Sequence, residues 1–170
     1  MTSKTQPILL ICDMQTKFRD AIHQFDLVEK SICHLCKICQ TFSIPILMTT
    51  QTQSKLGPCV QSIVSCLPER TESYDKTQFS MLTPEVVTIL EREERKEIVI
   101  VGIETHICVL QTAMELLKQG YRVVIIADAV SSSLNEERLV ALRRMQAVGV
   151  VVTSLESWLF ETMETSEHAK

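Results

Sequence analysis

"EIVIVGIETHICVLQTAMELLKQGYRVVIIAD" (97–128) decides the fold. Its two ends, "EIVIVG" (97–102) and "RVVIIAD" (122–128), are short, β-branched and almost continuously apolar. Strands exposed on one face alternate apolar and polar residues, whereas strands of a parallel sheet are buried on both faces and read as unbroken apolar runs. Between the ends, "THICVLQTAMELLKQG" (105–120) has helical character and stops at Gly120, a natural residue just past a helix C-terminus. Strand, helix, strand is the repeating unit of an α/β chain.

The same unit extends in both directions. "ILLIC" (8–12), "PILMT" (45–49) and "GVVVT" (149–153) are further strands. "DLVEKSICHLCKICQTF" (26–42) opens with Asp26 and Glu29 at capping-box spacing. "TPEVVTILEREERK" (83–96) has Thr83 as N-cap and Pro84 at the first helical position. "SLNEERLVALRRMQAVG" (133–149) starts with Ser133 and Glu136 and stops at Gly149. The tail "SLESWLFETMETSEHAK" (154–170) begins a helix and ends in a polar, fraying stretch. The stretch 51–82, with Gly57, Pro58 and Pro68, is the least regular and has room for one short strand near 70–75. These elements predict a three-layer α/β/α fold around a central, mostly parallel sheet of five or six strands. At 170 residues the chain fits a single domain, with its core over about 7–160.

Composition narrows the function. The chain is 45% hydrophobic and 22% charged, with a net charge of −4, so it lacks the basic excess expected of a nucleic-acid binder. A small organic substrate is the better expectation. The N-terminal "MTSKTQPILLICDMQ" is interrupted by Asp13 too early for a signal peptide, and no run approaches the roughly 20 apolar residues of a membrane span. Seven cysteines, an odd number without an export signal, point to reduced thiols in the cytoplasm.

Three of those cysteines form "SICHLCKIC" (31–39). At 100° per residue, Val28, Ile32, Leu35, Cys39 and Phe42 share one helix face, with Cys36 at its edge and Cys33 turned away. A ferredoxin-type cluster needs a fourth cysteine followed by proline, where this chain has Ser43 and Ile44. The trio reads as small hydrophobes on a buried helix, not as metal ligands.

Chemistry is expected elsewhere. Ligands of open parallel sheets bind outside the carboxyl ends of the strands. There the sequence places Asp13 after the first strand, Thr50 and Gln51 after the second, Cys108 shortly after "EIVIVG", and Asp128 after "VVIIA". An acid and a thiol thus meet at one edge. With Thr105 as N-cap, Cys108 occupies the first helical turn, where the macrodipole favours a thiolate by about 0.3–1 kcal/mol. A lysine or a base must supply the rest. Taken alone, Cys108 could equally be a structural cysteine at a helix start.

Three segments, "LLICDMQTKF" (9–18), "YDKTQFS" (74–80) and "VGIETHICVLQTA" (101–113), resemble the signature segments of the isochorismatase-like cysteine hydrolases, in the same order and strand context. "QSKLGP" (53–58) and "DAVSSSLNEERLVALRRMQAVGVVVTS" (128–154) are similar to the eukaryotic isochorismatase domain-containing proteins, and the likeness spans roughly 7–160. The resemblance implies a triad of Asp13, Lys76 and Cys108. Cys108 would attack a carbonyl carbon, Asp13 would take and return the proton, and Lys76 would favour the thiolate. It also implies a cis peptide at Ile103–Glu104, with Thr105 tying that turn together and the Glu104 and Cys108 N–H groups stabilising an oxyanion. Gln15, Phe18 and Gln51 become candidate substrate contacts. Asp128 would brace the loop "AVSSS", and His106 would sit beside the site facing solvent or a neighbouring subunit. The family commonly assembles, and the large side chains of "SLESWLF" (154–160) fit a homo-oligomer.

The chain also departs from relatives within that superfamily. Nicotinamidases carry an Asp-x-His pair and a later histidine around a metal, whereas "TTQTQSK" (49–55) has neither acid nor histidine. His23, His34, His106 and His168 are scattered. No metal or other cofactor is therefore expected. Isochorismatases proper cleave an enol ether without a cysteine nucleophile, so Cys108 points to an acyl-type substrate such as a small amide or carbamoyl compound. Two other readings remain: a non-catalytic binding protein on the hydrolase fold, and a thiol redox sensor.

Overall fold

A computed structural model describes residues 6–163. Six strands form one sheet: β1 (Ile8–Cys12), β2 (Ile46–Gln51), β3 (Glu72–Lys76), β4 (Glu97–Ile103), β5 (Arg122–Ser131) and β6 (Val151–Thr153). Their order is β3-β2-β1-β4-β5-β6, and every pairing is parallel. The chain builds outward from β1 to β3, then returns to lay β4 on the other side of β1. The crevice between β1 and β4 is therefore the topological switch point, where sheets of this kind leave room for a ligand.

Seven helices join the described strands: α1 (Phe25–Thr41), α2 (Gln53–Leu56), α3 (Gln61–Val64), α4 (Pro84–Glu93), α5 (Leu110–Lys118), α6 (Asn135–Ala147) and α7 (Leu155–Met163). The strand period of two assigns side chains to two cores. Leu9 and Ile11 join Val28, Ile32, Leu35 and Trp158 on the α1 and α7 side. Ile8, Leu10 and Cys12 join Val86, Leu90, Leu116 and Met145 on the α4, α5 and α6 side. All five β1 residues are buried, as a central parallel strand requires.

The predicted three-layer α/β fold is the observed one, with the short strand near 70–75 realised as β3 and completing six. Several boundaries differ. β5 extends to Ser131, through most of what reads as a loop, and β6 is only Val151–Thr153. The capping box at Asp26 does not form. α1 starts one residue earlier, behind Gln24 in a left-handed conformation, and Arg19 bonds both Asp26 and Glu29 while lying over the Phe25 ring. An ion pair and stacking thus replace the side-chain cap. Thr83 does cap α4, accepting from Val86 N–H, but α4 ends at Glu93 and leaves the charged "ERK" outside. α6 is preceded by Leu134, not Ser133, because the Ser133 N–H bonds Glu104 instead. The polar end predicted to fray, 164–170, lies outside the described residues.

Cys36 and Cys39 are fully buried in the α1 core and Cys33 is half-buried. Burial pushes the Cys39 and Cys59 thiols up to about 12, from an ordinary 9.0. The folded chain keeps these protons at a pH where the unfolded chain has lost them. This stability is fully present below the unfolded value and is lost as pH rises through the folded one. Each such thiol should cost about 1.4 kcal/mol per pH unit inside that window. Urea denaturation from about pH 8 to 11 should therefore show a falling stability whose slope is smaller in Cys39→Ala. Parallel slopes would show that Cys39 stays ionisable in the folded chain.

Candidate active site

β1 ends at Cys12, and the next residue turns the chain. Asp13 adopts a left-handed backbone, φ 49°, which short polar side chains tolerate better than most. Its carboxylate points inward and is 1% exposed. Oδ1 accepts from Thr49 Oγ1 of β2 at 2.8 Å, and Oδ2 accepts from Lys76 Nζ of β3 at 2.8 Å. Lys76 is also buried, at 3% exposure, and reaches across β2 to make this pair. Its ammonium donates further to Gln51 Oε1 at 2.6 Å, Phe79 O at 3.0 Å and Gln78 O at 3.2 Å. Burial alone would lower the Lys76 pKa, but the acidic groups Cys12, Asp13 and Cys108 around it outweigh burial and hold it above the ordinary value. Lys76 therefore stays a cation throughout the neutral range.

Cys108 arrives from β4. At Gly102, which pairs with Cys12, φ is +106° and an added Cβ would lie 2.1 Å from the Cys12 carbonyl oxygen. Only glycine allows the two strand ends this close. The β4–β5 register shifts between Ile100 and Gly102, and the Ile103–Glu104 peptide is cis. The chain then makes a single π-type turn, Thr105–Val109, before α5. Cys108 thus lies in this turn, not at the third position of an α-helix capped by Thr105. The Sγ atoms of Cys12 and Cys108 and a carboxylate oxygen of Asp13 all lie within 4.8 Å of one another.

Two contacts fix the turn. Thr112 Oγ1 donates to Cys108 O at 2.7 Å and accepts from Met81 N–H at 2.9 Å, joining the thiol's turn to the loop after Lys76. Glu104 accepts from Ser133 N–H at 2.8 Å, while His106 Nδ1 sits 2.9 Å from Ser132 Oγ. His106 is therefore engaged with the end of β5 and does not simply face solvent.

Other site candidates have different roles from those their positions suggest. Gln15 is fully buried, donates to Gln51 O and Gly57 O, and accepts from Gln51 N–H. Gln51 spends its side chain on Lys76 and Thr77 O. Both amides brace the site's wall. Phe18 packs half-buried against the α1-side core. Asp128 is exposed and accepts from Leu155 N–H at the start of α7, so it does not brace "AVSSS". The Thr105 hydroxyl is buried without a partner, and the residue holds the turn through its carbonyl, which accepts from Leu110 N–H. Sequence reasoning passed over Cys12, Thr49, Gly102 and Thr112. Cys12 and Gly102 had a signal, since each directly ends or nearly ends a buried strand beside a named residue.

Chemically, a thiol, a carboxylate and an ammonium converge at a buried site. Cys12, Asp13 and Cys108 are also the one group of potential metal ligands among the described residues. The Lys76 ammonium already holds Asp13 there, so a divalent cation would face a buried like charge.

The ion pair makes a stability prediction. Lys76→Met leaves the Asp13 carboxylate buried with Thr49 alone and should cost about 3–5 kcal/mol. Asp13→Asn should cost less, because its amide oxygen and three other acceptors still satisfy the ammonium. The double variant, measured by urea denaturation, should be more stable than Lys76→Met. Additive losses would show that the two charges do not depend on each other.

Comparison with known proteins identifies the family and the fold. The family model "Isochorismatase domain" matches residues 7–157. Isochorismatase family protein 1A of Dictyostelium discoideum is 38% identical over 170 residues, covering 98% of this chain and 82% of its own length. Isochorismatase domain-containing protein 2 of Xenopus laevis is 37% identical, covering 96% and 78%. Among solved structures, one titled a MAR1 ribonuclease from Caenorhabditis elegans superposes with a TM-score of 0.93 at 34% identity, covering 97% of this chain and 85% of that one. The sheet order, the switch-point crevice and these matches over nearly the whole length agree: the chain belongs to the isochorismatase family of hydrolases.

Proposed function

We propose that this single-domain chain is a cysteine hydrolase of a small amide, carbamoyl or related acyl substrate. The observation that carries the reading is the convergence of Asp13, Lys76 and Cys108, from the ends of three different strands, at the switch point. Asp13 takes the Cys108 proton, and the thiolate attacks the carbonyl carbon. The N–H groups of Glu104 and Cys108 receive the oxyanion. Asp13 returns the proton to the leaving amine, giving a thioester on Cys108. Water, losing a proton to Asp13, then attacks the thioester, releasing the acid and restoring the thiol. Lys76 keeps the carboxylate fixed and offsets negative charge as the thiolate forms.

The surroundings support small substrates. Cys108 is only 7% exposed, so a reactant must be small enough to enter the crevice. The net charge of −4 gives little attraction for a polyanion. All seven cysteines are free, which fits a reducing, cytoplasmic setting. No helix among the described residues is long and apolar enough to cross a membrane. A homo-oligomer also belongs to the proposal, although Trp158 of "SLESWLF" is buried in the chain's own core. Support comes instead from exposed Phe160 and from Leu134, Leu139, Val140 and Val148 on and beside α6.

The test is a library of small amides, carbamoyl compounds and esters, with an RNA arm because the similar worm protein is named a ribonuclease. Wild type should turn over at least one small compound, and mass spectrometry should find its acyl group on Cys108. Cys108→Ala should abolish turnover, and Asp13→Asn, folded by circular dichroism, should lose about 10²–10⁴-fold. Turnover that survives Cys108→Ala would overturn the nucleophile, and activity confined to RNA would overturn the substrate class. Light scattering at micromolar concentration should give a dimer or larger species, and a monomer there would remove the assembly.

A further inference from the structure

Acyl transfer uses one thiol, yet the crevice holds two. Cys12 is fully buried, and its Sγ lies within 4.8 Å of both Cys108 Sγ and the Asp13 carboxylate. Its backbone is fixed between β2 and β4 by the register with Thr49 and Gly102. Nothing in the hydrolysis assigns it a role.

We infer that Cys12 and Cys108 form an oxidisable pair, in which hydroperoxide converts the nucleophile to an internal, reversible disulfide. This rests on the proposed reactivity of Cys108. The Cys108 thiolate attacks the outer oxygen of a hydroperoxide, the O–O bond breaks, and the alcohol or water leaves with one proton. Cys108 becomes a sulfenic acid. The Cys12 sulfur then attacks the Cys108 sulfur, the S–S bond forms, and hydroxide departs with the Cys12 proton as water. Two thiols and one hydroperoxide thus give one disulfide, one alcohol and one water.

The geometry suits this order of events. A disulfide needs the sulfurs about 2.05 Å apart, so they must close by less than about 3 Å. The movable partner is Cys108, in its turn, while Cys12 sits on a central strand. Cys108 is also the reachable one, at 7% exposure against 0% for Cys12, so peroxide meets it first and a reducing thiol can later attack it. Burial, the hydrogen bond with Cys108 and the nearby Asp13 charge hold Cys12 as a thiol, well above the ordinary range. It does not compete for substrate, and it responds only when its neighbour becomes an electrophile. A sulfenic acid left without a partner proceeds to the irreversible sulfinic acid. Cys12 therefore makes oxidation of the site recoverable.

The experiment treats the full chain and its Cys12→Ala and Cys12→Ser variants with hydrogen peroxide, then alkylates the remaining thiols and maps them by mass spectrometry. Iodoacetamide labelling of Cys108 in untreated protein is measured in parallel. Wild type should lose two hydrogens, yield a linked Cys12–Cys108 peptide, lose Cys108 labelling and regain nearly all of it with dithiothreitol. The variants should show a Cys108 sulfenic acid trapped by dimedone, then sulfinic acid, with almost no recovery. Wild-type Cys108 that labels readily at neutral pH but reaches sulfinic acid while Cys12 stays free would overturn the inference and leave the hydrolase reading intact. Cys108 inert to both reagents would overturn both. A link formed only between Cys33 and Cys66 would also overturn the inference. The wild-type map decides the matter even if a Cys12 variant fails to fold.

Discussion

A carboxylate and an ammonium, 2.8 Å apart and almost without solvent, set the terms for the rest of this molecule. Burying either charge alone is costly, and the pair is tolerable only when the remaining hydrogen-bonding capacity is filled. Asp13 and Lys76 come from strands that do not touch, with β2 between them. The pair can form only when β1, β2 and β3 are in register and Thr49, Gln51 and the Gln78–Phe79 carbonyls are in place. A slip of one residue in β3 would send Lys76 to the opposite face. The ion pair therefore specifies register, and the amides of Gln15 and Gln51 support it.

Gly102 supplies the second constraint. Its missing side chain lets β4 close against the end of β1, so Cys108 meets Asp13 and Cys12 without any long loop. Thr112 then binds the turn to the segment following Lys76. The three strand ends are thus tied in a ring: β1 to β3 through the ion pair, β3 to α5 through Met81 and Thr112, and β4 to β1 through Gly102. Under the proposed function, preorganisation of this kind would position the nucleophile before substrate arrives, which is where most of the benefit of proximity lies.

Much of this was legible in the sequence. Continuous β-branched runs marked the parallel strands, and the residues just beyond them, Asp13 and Cys108, marked the carboxyl edge. Lys76 was legible only through resemblance, because a lysine in "SYDKTQFS" has no periodicity that separates it from a surface residue. The intrachain partners of Gln15 and Gln51 were not legible for a physical reason: an amide after a strand end can face a ligand or fill a neighbour's hydrogen bonds, and which it does depends on the side chain across the sheet. Asp128 failed similarly, since its partner Leu155 N–H lies 27 residues away. The π-type turn was hidden because "THIC" fits an α-helix start equally well; the backbone bonds from Val109 N–H to Glu104 O and from Leu110 N–H to Thr105 O, each spanning five residues, reveal the difference.

The distribution of satisfied groups also bears on what the crevice can recognise. Thr49, Gln15, Gln51, Glu104 and His106 all have partners inside the chain. Thr105 Oγ1 is the one buried side-chain polar atom among the described residues that has none. An unfilled buried hydroxyl carries a penalty of about 1–3 kcal/mol that a bound group can relieve. A wall whose other polar groups are already committed offers a newcomer few hydrogen bonds, so under the proposed function discrimination would rest mainly on size and on the reacting carbonyl itself. On the proposed function, such a site would accept several small acyl compounds of similar shape more readily than it would select one richly functionalised metabolite. On that proposal, Asp13, Lys76 and Cys108 specify reactivity more sharply than the wall specifies substrate choice.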